Sequence, residues 1–158
     1  MKLARTIHLD ESDKNVFPNP ACSGEWAIAG TFTFIDANIN AFTRKELLAF
    51  KEGWLGITSF GYSTLVQVDT IKDNEFEVVS RQLATHIFEK FNAPGMLAAL
   101  DAAKNEIKDM EIICQHPEGT LLSIGREITE KEIREKVRVI QPASSVSHAK
   151  IWTIENNE

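Results

Sequence analysis

The sequence has few of the features that mark specialised classes of protein. Only two of its 158 residues are cysteines, so disulfides do not define the scaffold. No run approaches the roughly 18 consecutive apolar residues that span a bilayer, and no apolar segment follows the basic start as in a signal peptide. Seventeen Lys and Arg against 23 Asp and Glu give a net charge of −6. We therefore expect a cytoplasmic protein with neither nucleic acid nor membrane as a partner, since phosphate backbones and anionic lipid repel an acidic chain.

The length and the composition fit one folded domain. A chain of 158 residues is close to one domain, and its 43% hydrophobic and 25% charged residues are ordinary for a globular protein. We predict an α+β domain over residues 1–140. The composition then shifts to Gln-Pro-Ala-Ser-Ser, so residues 141–158 are predicted to form a linker and a C-terminal strand or extension.

Hydrophobic periodicity predicts the elements of this domain. Alternating residues predict strands at residues 2–9, 26–35, 60–71, 120–128 and 149–155. Helical spacing predicts helices at residues 44–52, 73–91 and 96–114, and a short charged helix behind the capping box at residues 129–132. Because there are too few β-α-β units for a parallel sheet, we predict a mostly antiparallel sheet of about five strands, with helices packed on one face.

Two local patterns make sharper predictions. Gly30 interrupts a row of aromatic residues in the second predicted strand, which indicates a bulge or close packing against a large neighbour. The helix at 96–114 carries a near-heptad apolar seam, which predicts an antiparallel helix hairpin or a dimer contact. The seam consists of Met96, Leu100, Ala103, Ile107, Met110 and Cys114.

Several short strings are similar to those of a known family. They are Lys2-Leu3-Ala4-Arg5-Thr6-Ile7, Gly24-Glu25-Trp26-Ala27, Gly53-Trp54-Leu55-Gly56, Ser59-Phe60-Gly61 and Gly119-Thr120-Leu121-Leu122. On these motifs the chain resembles a family of short alphaproteobacterial proteins that share a domain of unknown function. The resemblance covers about residues 1–140, with the segment after Ile140 extending past the family pattern. It implies a bacterial cytoplasmic origin and implies no activity, cofactor or catalytic residue.

A metal site has little support in the sequence. The available donors are Cys22, Cys114, His116 and His148, and they lack the paired Cys-x-x-Cys or His-x-x-x-His spacing that organises zinc sites. An isolated cysteine on an apolar seam commonly behaves as a small buried hydrophobe. We predict neither a metal nor a cofactor.

The segment 53–63 is the best candidate for a ligand pocket. It places Trp54, Ser59 and Tyr62 in a glycine-bearing connection between a helix and a strand. Flexible backbone beside amphipathic aromatic residues can form the wall of a pocket. The alternative interpretation is that the aromatic residues hold the helix on the sheet while the glycines serve turns.

Arg126 and His116 complete the candidate site. Arg126 lies on the face that an alternating strand would bury, so it is expected to pair with a carboxylate, with Glu25 and Asp69 as possible partners, or to reach a cleft. His116 lies in a loop before a strand, where functional groups are common. The alternative for His116 is a favourable interaction with the end of a helix dipole.

These patterns leave two hypotheses about function. The first is a non-catalytic interaction or accessory protein that acts as a homodimer, through the seam or through a C-terminal strand that pairs with its own sheet or another chain's. The second is a small-ligand-binding protein or an enzyme acting on a small anionic metabolite. Its binding residues would be Trp54, Ser59, Tyr62, His116 and Arg126.

Overall fold

A computed structural model describes residues 1–8 and 16–141 of the chain. Over these residues the protein has an α+β fold with a curled, half-barrel sheet. The strands are β1 (Lys2–Ile7), β2 (Trp26–Ile28), β3 (Trp54–Gly56), β4 (Tyr62–Ser63), β5 (Leu65–Thr70), β6 (Leu121–Thr129) and β7 (Glu132–Gln141). The α-helices are α1 (Arg44–Glu52), α2 (Asp73–Lys90) and α3 (Met96–Ile113), and two short 3-10 helices cover Thr31–Phe34 and Ile39–Ala41.

The sheet is antiparallel, as predicted, but it has seven strands instead of about five. Its order is β4-β3-β2-β1-β5-β6-β7. The additional strands are β3 and β4, which are short, and β7, where the sequence predicted a helix. The strand predicted for residues 149–155, and the linker before it, lie outside the described residues. Among the described residues, no helix is long and apolar enough to cross a membrane.

The predicted helix after Thr129 is wrong, because this segment is β7. Thr129 pairs with Glu132 across a two-residue turn, and β7 continues antiparallel to β6. The turn residues Glu130 and Lys131 have φ values of 51° and 72°, as in the type I′ turns that connect hairpins. A capping box satisfies only local N–H groups, whereas β-branched residues such as Val137 favour a strand when a partner strand lies alongside.

The second strand ends at Ile28, seven residues earlier than predicted. Gly30 has a φ of +79° and reverses the chain into the first 3-10 helix. A Cβ atom on Gly30 would lie 2.5 Å from the Cβ of Leu55, which confirms the prediction of close packing against a large neighbour. The aromatic residues after Gly30 therefore lie on a 3-10 helix instead of continuing the sheet. Phe34 packs on Phe50 near the end of α1, and Phe32 packs on Phe91 at the end of α2.

The apolar seam of α3 belongs to the core of the chain. Helices α2 and α3 form an antiparallel hairpin, and α3 contacts β1 and β2. Ala103, Ile107, Met110 and Cys114 are buried in that core, which confirms the hairpin alternative and leaves this part of the seam closed to a second chain.

Both faces of the sheet are covered around β1, the central strand, and not one face alone. Adjacent strand residues point to opposite faces, and both Leu3 and Ala4 of β1 are fully buried. The same holds for Trp54 and Leu55 of β3. Helices packed on one face would bury only alternate residues, so the curl of the sheet and the helix on β6 supply the rest.

Helix α1 packs on β6 and positions the region of interest. It begins with the predicted capping box. The Glu46 N–H donates to Thr43 Oγ1 at 3.2 Å, and the Thr43 N–H donates to Glu46 Oε1 at 2.9 Å. The start of α1 is thus fixed locally, while its C-terminal carbonyls are bound by a residue of β6.

Candidate functional site

Arg126 of β6 is a buried cation that caps α1. Its side chain is on the buried face, as predicted, and only 5% of the residue is exposed. Its Nη1 donates to the carbonyl of Phe50 at 2.8 Å, in the last turn of α1. Carbonyls there lack helical partners and form the negative end of the helix dipole. The guanidinium therefore replaces the hydrogen bonds that α1 cannot make for itself.

The same guanidinium also links β6 to the segment that follows β2, across the inside of the curled sheet. Its Nη2 donates to the carbonyl of Ala29, just beyond β2, and its Nε donates to Thr31 Oγ1 at 2.7 Å. Strands β2 and β6 are three positions apart in the sheet, so these bonds cross the interior of the curl. Burial lowers the pKa of Arg126 to about 10, so it stays charged at neutral pH.

The carboxylates expected as partners of Arg126 lie elsewhere. Asp69 pairs with Arg5 Nε at 3.0 Å, and Glu25 accepts hydrogen bonds from Ser59. Glu135 lies opposite Arg126 on β7 and accepts a hydrogen bond from the Thr31 hydroxyl. Neither Asp69 nor Glu25 pairs with Arg126, because backbone carbonyls satisfy most of this guanidinium. Arg126 instead lines a cleft, which was the other expectation for it.

Tyr62 and Arg126 share one aromatic cluster. The guanidinium carbon of Arg126 lies 5.2 Å from the ring centroid of Phe34, and that ring is stacked on Tyr62 at 6.0 Å. Phe50 contacts Phe34 edge-on at 5.3 Å. Burial raises the pKa of Tyr62. The structure thus brings two of the five predicted ligand residues together.

The other three predicted ligand residues do not join that cluster. Trp54 is fully buried, and its Nε1 donates to the carbonyl of Leu122 at 3.2 Å. Ser59 Oγ donates to Glu25 at 2.7 Å. The carbonyl of His116 accepts from Lys2 Nζ at 2.8 Å, beside the Thr70 end of β5. Arg126 lies beyond the Leu65 end of that strand, so the length of β5 separates His116 from Arg126.

The glycines of segment 53–63 serve close packing. A Cβ atom on Gly53 would lie 2.7 Å from the carbonyl oxygen of Ala49, and one on Gly61 would lie 2.7 Å from that of Pro20. A Cβ on Gly56 would collide with the carboxylate of Glu25. This geometry favours the packing alternative over an open pocket wall within the segment itself.

An open groove lies beside the segment instead. It has a volume of about 770 Å³ and runs between the end of α1 and the ribbon formed by β6 and β7. Beyond Ser123, β6 has only β7 as a pairing partner among the described strands, so the ribbon projects from the sheet there. We call this cavity the basic groove. Its charged lining consists of Lys51, Arg126, Arg134, Lys136 and Arg138 with Glu52, Glu127 and Glu135.

The exposed cations of the basic groove form a row along β7. Arg134, Lys136 and Arg138 alternate along the strand and therefore share one face. Gly125 lies opposite Lys136 on β6, and a Cβ there would meet only the Lys136 carbonyl oxygen, at 3.9 Å. Thr64 lines the groove from the other side. The result is a cationic face with free space above its middle.

Sequence reasoning missed this row because it placed the three cations on a helix. In a helix, residues two apart point in widely different directions, whereas in a strand they align. The signal was present as Arg-x-Lys-x-Arg interleaved with Glu135, Val137 and Val139, which is a period of two. The capping box at residues 129–132 masked it.

The Cys and His residues weighed as metal donors form no site among the described residues. Cys22 is exposed in a loop, whereas Cys114 is buried, and burial raises the pKa of its thiol to about 12. No group of three or more His, Cys, Asp and Glu residues in the described part of the chain is arranged to hold a metal ion. His148 lies outside that part.

The fold and groove define an α+β protein built on a curled antiparallel sheet. A family model described as "Family of unknown function (DUF6505)" matches residues 1–155, and the chain belongs to this family. The match confirms the resemblance to a family of unknown function and corrects its extent, because the family pattern continues past Ile140. The alphaproteobacterial origin stays a prediction. No curated protein and no solved structure matches the chain.

Proposed function

We propose that the protein is a binding protein whose basic groove takes an anionic ligand. The observation that carries this proposal is the row of Arg134, Lys136 and Arg138 on one face of β7, in a chain whose net charge is −6. Five cationic and three acidic side chains line the groove, so its charge opposes that of the whole protein. Charge-assisted hydrogen bonds from Arg and Lys suit carboxylate and phosphate groups.

The exposed row, and not Arg126, is the part of the groove that would contact a ligand. A guanidinium has five N–H donors, and four of those of Arg126 are directed at Thr31, Ala49, Phe50 and Ala29. Arg126 therefore fixes the shape of the groove instead of contacting a ligand. Arg134, Lys136 and Arg138 are exposed, and no carboxylate lies within salt-bridge distance of them among the described residues.

The basic groove adjoins segment 53–63, the segment predicted to form a ligand pocket. Lys51 and Glu52 precede this segment and Thr64 follows it, so both of its ends reach the groove. This proposal retains the predicted negative charge of the ligand, while the binding residues move to β7. The protein would act in the cytoplasm of a bacterium, as the family resemblance implies.

The proposal is tested by calorimetric titration of the purified protein with pyrophosphate and with citrate. Replacing two cations of the row, in the variant Lys136→Gln/Arg138→Gln, should weaken binding at least tenfold, since each charged hydrogen bond contributes about 1.5–3 kcal/mol. The control Arg81→Gln/Lys108→Gln removes two exposed cations from α2 and α3 and should leave the affinity within about twofold. If both variants lose the same affinity, the effect comes from the net charge of the protein and not from the groove. If neither pyrophosphate nor citrate binds to the wild-type protein, the proposal is wrong.

A second proposal keeps the homodimer or accessory subunit. It is supported by apolar residues exposed around the α2–α3 connection, namely Phe88, Phe91, Met96 and Leu97, of which Leu97 is 80% exposed. Clustered exposed apolar residues are typical of protein contacts. Native mass spectrometry should then give a dimer for the wild type, a monomer for Leu97→Glu and a dimer for the control Ile35→Glu. A wild-type monomer would exclude this homodimer.

A further inference from the structure

We infer that the anionic partner of the basic groove is an extended acidic segment of another protein, which joins the sheet along β7, the strand whose outer side has no partner strand among the described residues. This inference rests on the proposed function and deepens it. It follows from three features of β7: its position in the sheet, the spacing of its cations and the exposure of its apolar residues.

The two edges of the sheet differ in how they are covered. At the β4 edge, the Tyr62 N–H donates to the carbonyl of Asn19 at 2.7 Å, and the Ala21 N–H donates to the carbonyl of Tyr62 at 2.8 Å. At the other edge, β7 pairs only with β6 among the described residues and is ten residues long. Every second N–H and C=O group of such an edge points outward, where an added strand can bond to it.

The spacing of the cations matches an extended chain. Residues two apart in a strand are separated by roughly 6.7 Å, so the row from Arg134 to Arg138 spans roughly 13 Å. A strand added to β7 places its own alternate residues beside the cations on the same face. Three Asp or Glu residues at alternate positions would therefore meet Arg134, Lys136 and Arg138 in turn. A small anion would reach only part of this row.

Charge also selects among the polypeptides that could occupy the edge. In an antiparallel pair of two β7 strands, Lys136 would face Lys136 while Arg134 faced Arg138, and like charges directly opposite are destabilising. An acidic strand makes the same positions attractive. The other face of β7 carries Val139, which is 43% exposed, and the partly buried Val137 beside Glu135, which accepts a hydrogen bond from Thr31. The favoured partner therefore alternates acidic residues with β-branched residues that contact the two valines.

The test uses the full chain and a fluorescein-labelled peptide, Glu-Val-Glu-Val-Glu-Val-Glu, with binding measured by fluorescence anisotropy. Two comparison peptides separate strand addition from charge attraction. One has the same composition with the valines and glutamates in separate blocks, and the other is N-methylated on every second residue along the edge that would face β7. We expect the alternating peptide to bind at least tenfold more tightly than either, and to slow hydrogen exchange within residues 132–141.

The variant Arg134→Gln/Lys136→Gln/Arg138→Gln should lose at least tenfold in affinity for the alternating peptide, while Arg81→Gln/Lys108→Gln should keep it. Equal binding of all three acidic peptides would overturn strand addition. Binding of pyrophosphate without any peptide would also overturn it while the anion-binding proposal stands. Failure of both pyrophosphate and peptides would overturn the inference together with the proposed function. Circular dichroism measures the melting temperature of the triple variant, so that a loss of stability can be told apart from a loss of peptide binding.

Discussion

The two halves of β6 differ in their strand partners and in their burial. From Leu121 to Ser123 the strand pairs with β5 as well as with β7, and Leu122 is fully buried. From Ile124 onward β6 pairs only with β7 among the described strands, and Glu127 and Ile128 are exposed. Arg126 stands at the junction, with its side chain directed into the curl. One strand thus serves both the core and the candidate site.

This comparison separates the residues that stabilise the fold from those that would bind a ligand under the proposed function. Cations of the same chemical type are buried and satisfied on one side of the ribbon and exposed on the other. The hydrogen bonds of Arg126 shape the groove from within, whereas Arg134, Lys136 and Arg138 would contribute little to folding. Substitutions in the two regions should therefore have opposite consequences for stability and for ligand affinity.

The largest effect is expected for Arg126→Met. The variant leaves the carbonyls of Ala29 and Phe50 without their donor in a buried region, which should lower the free energy of unfolding by about 3–5 kcal/mol. Arg134→Met makes the same chemical change on the exposed ribbon and should cost no more than about 0.5 kcal/mol. Urea unfolding gives both values from the shift of the midpoint. Similar losses in the two variants would contradict the separation of roles.

A matched pair of glycines tests the packing inside the curl. Gly30 and Gly24 both have positive φ, at 79° and 88°, but only Gly30 lies against Leu55. Gly30→Ala should therefore lower the free energy of unfolding by about 2–4 kcal/mol, from backbone strain plus overpacking. Gly24→Ala has no atom within 4 Å of its new Cβ and should show only the strain, about 1–2 kcal/mol. Equal losses of stability in the two variants would mean that Leu55 can move away from the new Cβ atom without a free-energy cost.

The pH dependence of stability should reveal a half-buried carboxyl of α3. Burial, with smaller contributions from Asp109 and Glu135, raises the pKa of Glu106 from 4.5 to about 7. The folded state therefore binds more protons than the unfolded state between these values, so this group lowers stability as the pH rises from about 4.5 to 7. Glu106→Gln should remove that fall and raise the free energy of unfolding at pH 8 by roughly 1–3 kcal/mol.

Urea midpoints measured from pH 5 to pH 8 check the role of Glu106. The control Glu77→Gln changes an exposed carboxyl of α2 and should keep the wild-type slope. A Glu106→Gln variant with the wild-type pH profile would show that this carboxyl is solvated in the native protein.

The smallest effect is expected at the tip of the ribbon. Glu130 and Lys131 occupy positions of positive φ, which Asn and Gly adopt at lower cost. Glu130→Asn/Lys131→Gly should raise the free energy of unfolding by about 1 kcal/mol and leave anion binding unchanged, since neither residue lines the basic groove. Thermal unfolding together with pyrophosphate titration measures both. A loss of stability would show that the wild-type side chains favour this turn.

Local signals in the sequence predicted the three observed α-helices well, although a capping box also led to the wrong helix after Thr129. The capping box at Thr43 and Glu46 and the apolar stripes of α2 and α3 place all three helices to within a residue or two. These signals depend on residues that lie within one or two turns of each other. The strands were predicted less well, because β3 and β4 have only three and two residues, too short for alternation to appear.

The candidate site could be predicted only in part from the sequence, because local patterns do not show which distant parts of the chain come together. The sequence alone determined that the protein is acidic, that it has an α+β fold with a mostly antiparallel sheet, that Gly30 marks either a bulge or close packing and that Arg126 lies on the buried face of its strand. These properties follow from composition and from the orientation of side chains within single elements. The tertiary structure decided that residues 132–141 form a strand beside β6 and that Arg126 binds carbonyls of α1 and of the segment after β2. It also decided that three cations align over Gly125, because each of these arrangements depends on pairing between distant parts of the chain.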